Sequence, residues 1–153
     1  MTQHPPGLYA DDVHPGEVTS FGHHAVTEVE IIDFASQWDP QFFHVDPERA
    51  ATEGAFGGLI ASGIQTLGIY QRLSIDARAE HWHVIAGAGI EALRFHRPVR
   101  PGDVLTGSHC VTDVALDPDR RRGLLTFAGE LTREDGASVL TLTMSAFLHM
   151  RPA

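Results

Sequence analysis

The sequence predicts an α+β fold in which an antiparallel sheet wraps around one long central helix. Two patterns carry this reading. Between Gly63 and Ile75, Ile64, Leu67, Ile69, Tyr70 and Leu73 are apolar. At about 100° per residue they point in nearly every direction, and a helix that is apolar all round is a buried helix. After about Ala79 the apolar residues alternate instead, through four long strands in succession joined by short turns. Such a run favours an antiparallel sheet. The simplest way to bury the helix is to wrap that sheet around it.

Each element has its own local signals. Residues 1–15 are rich in Pro, His and Asp and are expected to be a loosely ordered lead-in to a single domain over 16–153. Val18 to His24 is expected as a short first strand. Thr27 and Glu30 form a T-x-x-E capping box, and Ile31, Phe34, Ala35 and Trp38 follow at helical spacing. That helix stops near Trp38, because Pro40 disfavours helical geometry at Asp39. Asp46-Pro47 opens another helix, with Asp46 as N-cap and Pro47 in the first position. Ser62 and Gln65 form an S-x-x-Q box, so the long helix begins at about Gly63. Val84, Ala86, Ala88 and Ile90 alternate, followed by Leu93 and Phe95. A stiff link, Arg97 to Asp103, leads to a strand over Val104 to Val114. Asp117-Pro118-Asp119 is a turn signal, and Leu125, Phe127 and Leu131 mark the next strand. In the last strand Leu140, Leu142, Met144, Ala146 and Leu148 face one way. An antiparallel sheet wrapped around a long helix is the hot-dog fold.

Composition narrows the function. The chain has 153 residues, a length that fits one domain with a substantial core. All 11 Lys and Arg positions are arginine, which excludes Schiff-base and P-loop lysine chemistry. One cysteine, Cys110, excludes an internal disulfide and a multi-cysteine zinc site. The net charge of −9 disfavours nucleic acid and anionic membrane as partners. No apolar run is long enough for a spanning helix, and Met1 to Gly16 lacks the pattern of a signal peptide. A cytoplasmic location is expected.

The most informative stretch is Phe34 to Leu67. Asp39 and His44 lie between two helices, flanked by Trp38, Phe42 and Phe43. Aromatic neighbours can make two ionisable groups a desolvated acid/base pair. The same spacing also fits an Asp that ends a helix and a packed loop histidine. Gly63 follows the N-cap Ser62, so its N–H is free at a helix N-terminus, where the dipole favours negative charge. Close packing of Gly63 against a strand is the plainer alternative. His81 and His83 would share a strand face, but a third metal ligand is not apparent and no metal site is expected. Arg94, Arg97 and Arg100 surround the stiff link and are candidates for contacting phosphates. Arg120 to Arg122 reads as a solvated hairpin tip.

Residues from about 7 to 150 resemble the MaoC-like dehydratases, which include the (R)-specific enoyl-CoA hydratases. The matching stretches are GLYADDVHPGE, VTEVEIIDFA, WDPQFFHVDP, FGGLIASG and RFHRPVRPGD, in the family's order. The resemblance implies a hot-dog fold and a homodimer or larger assembly, with the active-site tunnel between two protomers. It also implies an acyl-CoA thioester substrate, with coenzyme A part of that substrate and no separate cofactor. It places the catalytic pair on Asp39 and His44 and the oxyanion hole on Gly63; Ser62, Arg94 and Arg97, from their positions in the sequence, are expected to contact the substrate. Two motifs depart from the family pattern. Gln41 and Phe42 stand where the family has Asn and Pro, with the proline moved to Pro40, and Ser62 stands where it often has His.

The chemistry agrees with that assignment. Adding water across an α,β-unsaturated thioester needs a base for the water, an acid for C2 and donors for the enolate oxygen. Asp39 and His44 can hold one water between them and carry both proton transfers on one face. With the resemblance, the expected activity is that of an (R)-specific enoyl-CoA hydratase or 3-hydroxyacyl-CoA dehydratase. A hot-dog thioesterase is the first alternative, although Gly63 to Ile75 carries no Asp or Glu to drive hydrolysis. A non-catalytic acyl-CoA-binding protein is the second.

Overall fold

The computed structural model describes residues 5–153. Its elements follow the order β1 (Val18–Ser20), β2 (His24–Ala25), α1 (Glu28–Trp38), α2 (Phe42–Val45), α3 (Pro47–Glu53), α4 (Gly63–Asp76), β3 (Val84–Phe95), β4 (Val104–Asp117), β5 (Arg122–Arg133) and β6 (Ser138–His149). All strands join one antiparallel sheet in the order β1-β4-β5-β6-β3, with β2 also paired to β4. This is the hot-dog architecture the sequence predicts.

The main core lies between the helices and the concave face of the sheet. Ile31 of α1 and Ile69, Tyr70 and Leu73 of α4 meet Leu105, Leu131 and Leu140 there. The fit is tightest where Tyr70 crosses β5. A Cβ on Gly129 would collide with the Tyr70 hydroxyl and ring. Gly129→Ala is therefore expected to destabilise the fold by about 1–3 kcal/mol, the usual cost of overpacking. Chemical denaturation checks this, and an unchanged midpoint would show that the ring can yield.

Local signals suffice where neighbours in sequence decide the structure. Thr27 caps α1 and exchanges bonds with Glu30, as the box predicts. Asp46 caps α3 with Pro47 at its first position. Four expectations need correction. The lead-in is packed from Leu8 onward: Tyr9, Ala10 and Val13 are buried, and the latter two join a second cluster with Val111, Leu125 and Phe127. Residues 1–4 of that segment lie outside the described residues. The first strand is split in two, because Phe21 turns into the core and its N–H bonds to Gly107. The one-turn helix α2 has no counterpart in the sequence pattern, since four residues are too few to show a period.

The fourth correction matters most. Helix α4 is not buried all round: Gln65, Thr66, Ile69, Tyr70 and Leu73 face inward, while Ile64 is 57% exposed. Strand β3 alternates in sequence yet is exposed along nearly its whole length. The sheet order explains both. Among the described residues β3 is an edge strand paired to β6 alone, and the apolar space between it and α4 stays open in a single chain.

Candidate active site

The site is built around the turn that ends α1. The Asp39 N–H closes the helix on Ala35, and Pro40 prevents another turn. The chain reverses through Gln41, whose N–H bonds to the Asp39 carbonyl at 2.8 Å. Helix α2 then carries His44 back beside Asp39. The His44 Nε2 lies 3.4 Å from Asp39 Oδ2. On the other side of the ring, Nδ1 is 2.7 Å from the Ile60 carbonyl oxygen. A carbonyl can only accept, so Nδ1 carries the hydrogen and a neutral His44 presents a lone pair at Nε2. His44 is 4% exposed, and its ring is fixed by this bond and by the Phe43 ring beside it.

Asp39 is held just as firmly. The Gln41 amide donates to its Oδ1 at 2.7 Å, and the Ser62 hydroxyl donates to its Oδ2 at 2.7 Å. The Gln41 bond foremost, then the Ser62 bond, holds the carboxyl below the usual carboxylate range, against the opposing effect of burial. Ser62 has a second role. Its oxygen accepts from the Ile64 N–H at 3.2 Å, so it caps α4. The S-x-x-Q box does not close: the bond goes to Ile64 instead of Gln65, whose side-chain oxygen is buried without a partner.

These groups line a cavity of about 410 Å³, together with Gly63, Phe95 and Arg97. Gly63 is the first residue of α4, so its N–H has no partner within the helix. A Cβ there would stand 2.7 Å from the Phe95 ring. Asp39, His44, Ser62 and Gly63 are thus brought together from two segments of chain. Ser62 reaches the cavity as the partner of Asp39. Arg97 stands at the rim, with Nη1 donating to the Ser138 carbonyl. Arg94 does not line the cavity, and its guanidinium donates to the adjacent Leu93 carbonyl. Arg100 holds the glycine-rich segment through the Phe56 carbonyl. Sequence reasoning missed Phe95, whose part depends on a contact across the fold. It also left Gln41 without a role, although its position two residues after Asp39 was a usable signal.

Elsewhere, His83 stacks on Tyr9 and meets the His81 ring edge-on. Among the described residues no cluster of three metal-ligating side chains exists. Among them, too, no helix is long and apolar enough to cross a membrane.

Ser62→Ala tests the double role of the serine. Loss of the cap is expected to cost about 0.5–2 kcal/mol. Loss of the donor is expected to raise the Asp39 pKa, because hydrogen bonds to the charged form lower it. A folded-state pKa below the unfolded one contributes stability above the unfolded pKa, and that contribution is lost as pH falls through the folded one. The variant should therefore lose less stability than the wild type on acidification below about pH 4. Carbon NMR of the Asp39 carboxyl checks the shift directly, and an unmoved titration would refute it.

The chain thus combines a hot-dog sheet with a carboxylate–imidazole pair beside the N-terminus of its long helix. Comparison with known proteins names the family. The MaoC like domain model matches residues 12–122. The chain belongs to this MaoC-like dehydratase family. It is 40% identical over 95 residues to the uncharacterized protein YdeM of Bacillus subtilis, covering 62% of this chain and 67% of YdeM. It is 34% identical over 119 residues to nodulation protein N of Rhizobium meliloti, covering 74% of this chain and 72% of that protein. Over 79 residues it is 39% identical to 3-hydroxyacyl-thioester dehydratase Z of Mycobacterium tuberculosis, about half of each chain (50% and 52%). Among solved structures, the MaoC-like dehydratase of Rhodospirillum rubrum superposes with a TM-score of 0.83 at 32% identity, covering 96% of this chain and all (100%) of that one.

Proposed function

We propose that the protein hydrates the C2–C3 double bond of an enoyl-CoA thioester, or dehydrates the corresponding 3-hydroxyacyl-CoA, with (R) stereochemistry. The observation that carries this reading is the Asp39–His44 pair, with its tautomer set by Ile60, facing a cavity that Gly63, the first residue of α4, also lines. Two acceptors side by side are suited to a water that donates one hydrogen to each. Its oxygen lone pair then points outward, towards C3. Asp39, with both oxygens already accepting bonds, is a weakened base and orients the water. The proton goes to His44 Nε2, since an imidazole is intrinsically more basic than a carboxylate. The new C–O bond forms at C3, the π electrons move to the thioester oxygen, and the Gly63 N–H stabilises that enolate. The imidazolium returns its proton to C2 on the same face.

In this reading coenzyme A belongs to the substrate, and no further cofactor takes part. Arg97, at the rim, is the better placed of the two proposed arginines to meet a CoA phosphate. A CoA-ester substrate fits a cytoplasmic location. The relatives support the thioester, as one is named a 3-hydroxyacyl-thioester dehydratase. Hydrolysis is the weaker reading, because the only acidic residue of α4, Asp76, ends the helix in an ion pair with Arg72. Offering a panel of enoyl-CoAs and saturated acyl-CoAs tests this reading: hydration of the enoyl series supports it, and release of free CoA from both series overturns it.

The same reading includes a two-fold homodimer. The β3 edge exposes Ile85, Ile90 and Phe95, and an open apolar edge is a liability unless paired. Light scattering is expected to show a dimer as the smallest species. An active monomer at assay concentration would contradict it.

A further inference from the structure

Away from the acid/base pair, a small chamber of about 100 Å³ lies between the C-terminal half of α4 and the sheet. Its lining includes Tyr70, Ser74, Arg78, Trp82 and His109, and no acidic residue. Two of its polar groups are stranded. His109 of β4 is 6% exposed, and its Nε2 is buried without a partner. The Arg78 Nε is likewise buried without a partner, and its guanidinium lies 4.3 Å over the Trp82 ring. Burial alone acts on the Arg78 charge, with no carboxylate of the described residues to offset it. The Arg78 side chain is half-buried with its Nε left unpaired, and a carboxylate is the group that best satisfies it. Burial first, then the Arg78 charge, holds His109 below the ordinary imidazole range, so Arg78 is the cation of the chamber.

The chamber and the catalytic cavity border the same groove. An apolar groove between α4 and β3 shares Ile64 with the cavity, and Gln71, Gly87 and Met144 with the chamber. From Gly63 to the chamber wall at Tyr70 and Ser74 is seven to eleven helical residues, or about 10–16 Å at 1.5 Å per residue. An extended hydrocarbon chain advances about 1.2 Å per bond, so roughly nine to thirteen bonds would span it. The chamber holds about three water volumes, room for a terminal carboxylate and little more.

We propose that this chamber receives the far end of the acyl chain and selects thioesters whose chain ends in a carboxylate bound by Arg78 and His109. The proposal rests on the acyl-thioester reading above and names its substrate class: medium-chain acyl groups with a carboxylate at the ω position.

The test measures binding, so that it does not depend on turnover. Two unhydrolysable thioether analogues of coenzyme A are used, one bearing a dodecyl chain and one the same chain ending in a carboxylate. Calorimetry on the full-length protein is expected to show the carboxylate form binding about 10–100-fold tighter than the plain form, the scale of charge-assisted hydrogen bonds. Arg78→Gln is expected to abolish that contrast while leaving hydration of crotonyl-CoA, too short to reach the chamber, unchanged. Ser74→Asp is a second variant that keeps Arg78 and its stacking. It supplies an internal carboxylate on the wall that Ser74 shares with Arg78, and should abolish the contrast as well. Equal affinity for the two analogues in the wild-type protein overturns the proposal and leaves a chamber that holds only water. A contrast that survives both variants also overturns it. If crotonyl-CoA is not hydrated, the catalytic reading falls, while the binding contrast still decides the chamber.

Discussion

Asp39→Asn and His44→Ala are each expected to lower enoyl-CoA hydration by about 10²–10⁴-fold while the protein stays folded. The two changes remove different things. Asp39→Asn would keep the shape, and the new amide could still accept one bond. It would lose the charge that holds water and steadies an imidazolium 3.4 Å away. His44→Ala would remove the proton acceptor itself and leave the Ile60 carbonyl without its donor. Some loss of stability is therefore expected in the second variant, and rates should be normalised to folded protein. The double variant should be little slower than either single one, because groups acting as a unit are not additive. Stopped assays on purified variants decide the matter, and near wild-type turnover by either single variant would remove that residue from the mechanism.

Gly63→Pro is expected to cost about 10²–10³-fold in turnover, the scale of one oxyanion donor. Helix α4 should survive the change. Proline is tolerated at the first helical position, and Ser62 already has extended backbone angles (φ −59, ψ 139) that a following proline accepts. Gly63→Ala keeps the N–H and is the natural control, but the structure shows that it is not silent. Its Cβ would press on the Phe95 ring, and so would that of proline. The comparison is therefore best made with Phe95→Ala also present, which opens the space for both. In that background alanine should retain most of the activity and proline should not, at similar melting temperatures. Equal rates would show that Gly63 supplies room and not a donor.

Much of this site was legible because its parts are close in sequence. Asp39 and His44 are five residues apart, and Pro40 forces the chain to turn between them. The cap at Ser62 and the start of α4 follow from residues in direct succession. Gln41 was legible in position but not in purpose, because nothing local shows which oxygen its amide will meet. The capping box at Ser62 promises more than it delivers: the pattern allows a bond to Gln65, but the hydroxyl is turned so that it caps at Ile64 and donates to Asp39. The arginines were the least legible. A guanidinium on a long flexible stem can reach many partners, and only the folded chain shows Arg97 at the cavity and Arg94 turned to its own backbone.

By itself, then, the sequence determined the long elements, their hot-dog arrangement, and the turn at Pro40 that keeps Asp39 and His44 close along the chain. These depend on period, caps and proline, which act over a few residues. Tertiary structure alone decided the His44 tautomer, through a carbonyl 16 residues away, and the second donor to Asp39, from a serine 23 residues away. It also decided that β3 and one side of α4 stay uncovered, and that Arg78 and His109 line one chamber with no acidic side chain among its described residues. Hydrogen-bond partners and burial are properties of contacts between distant segments. A residue pattern fixes which faces can be covered, while the packing of the whole chain fixes which are.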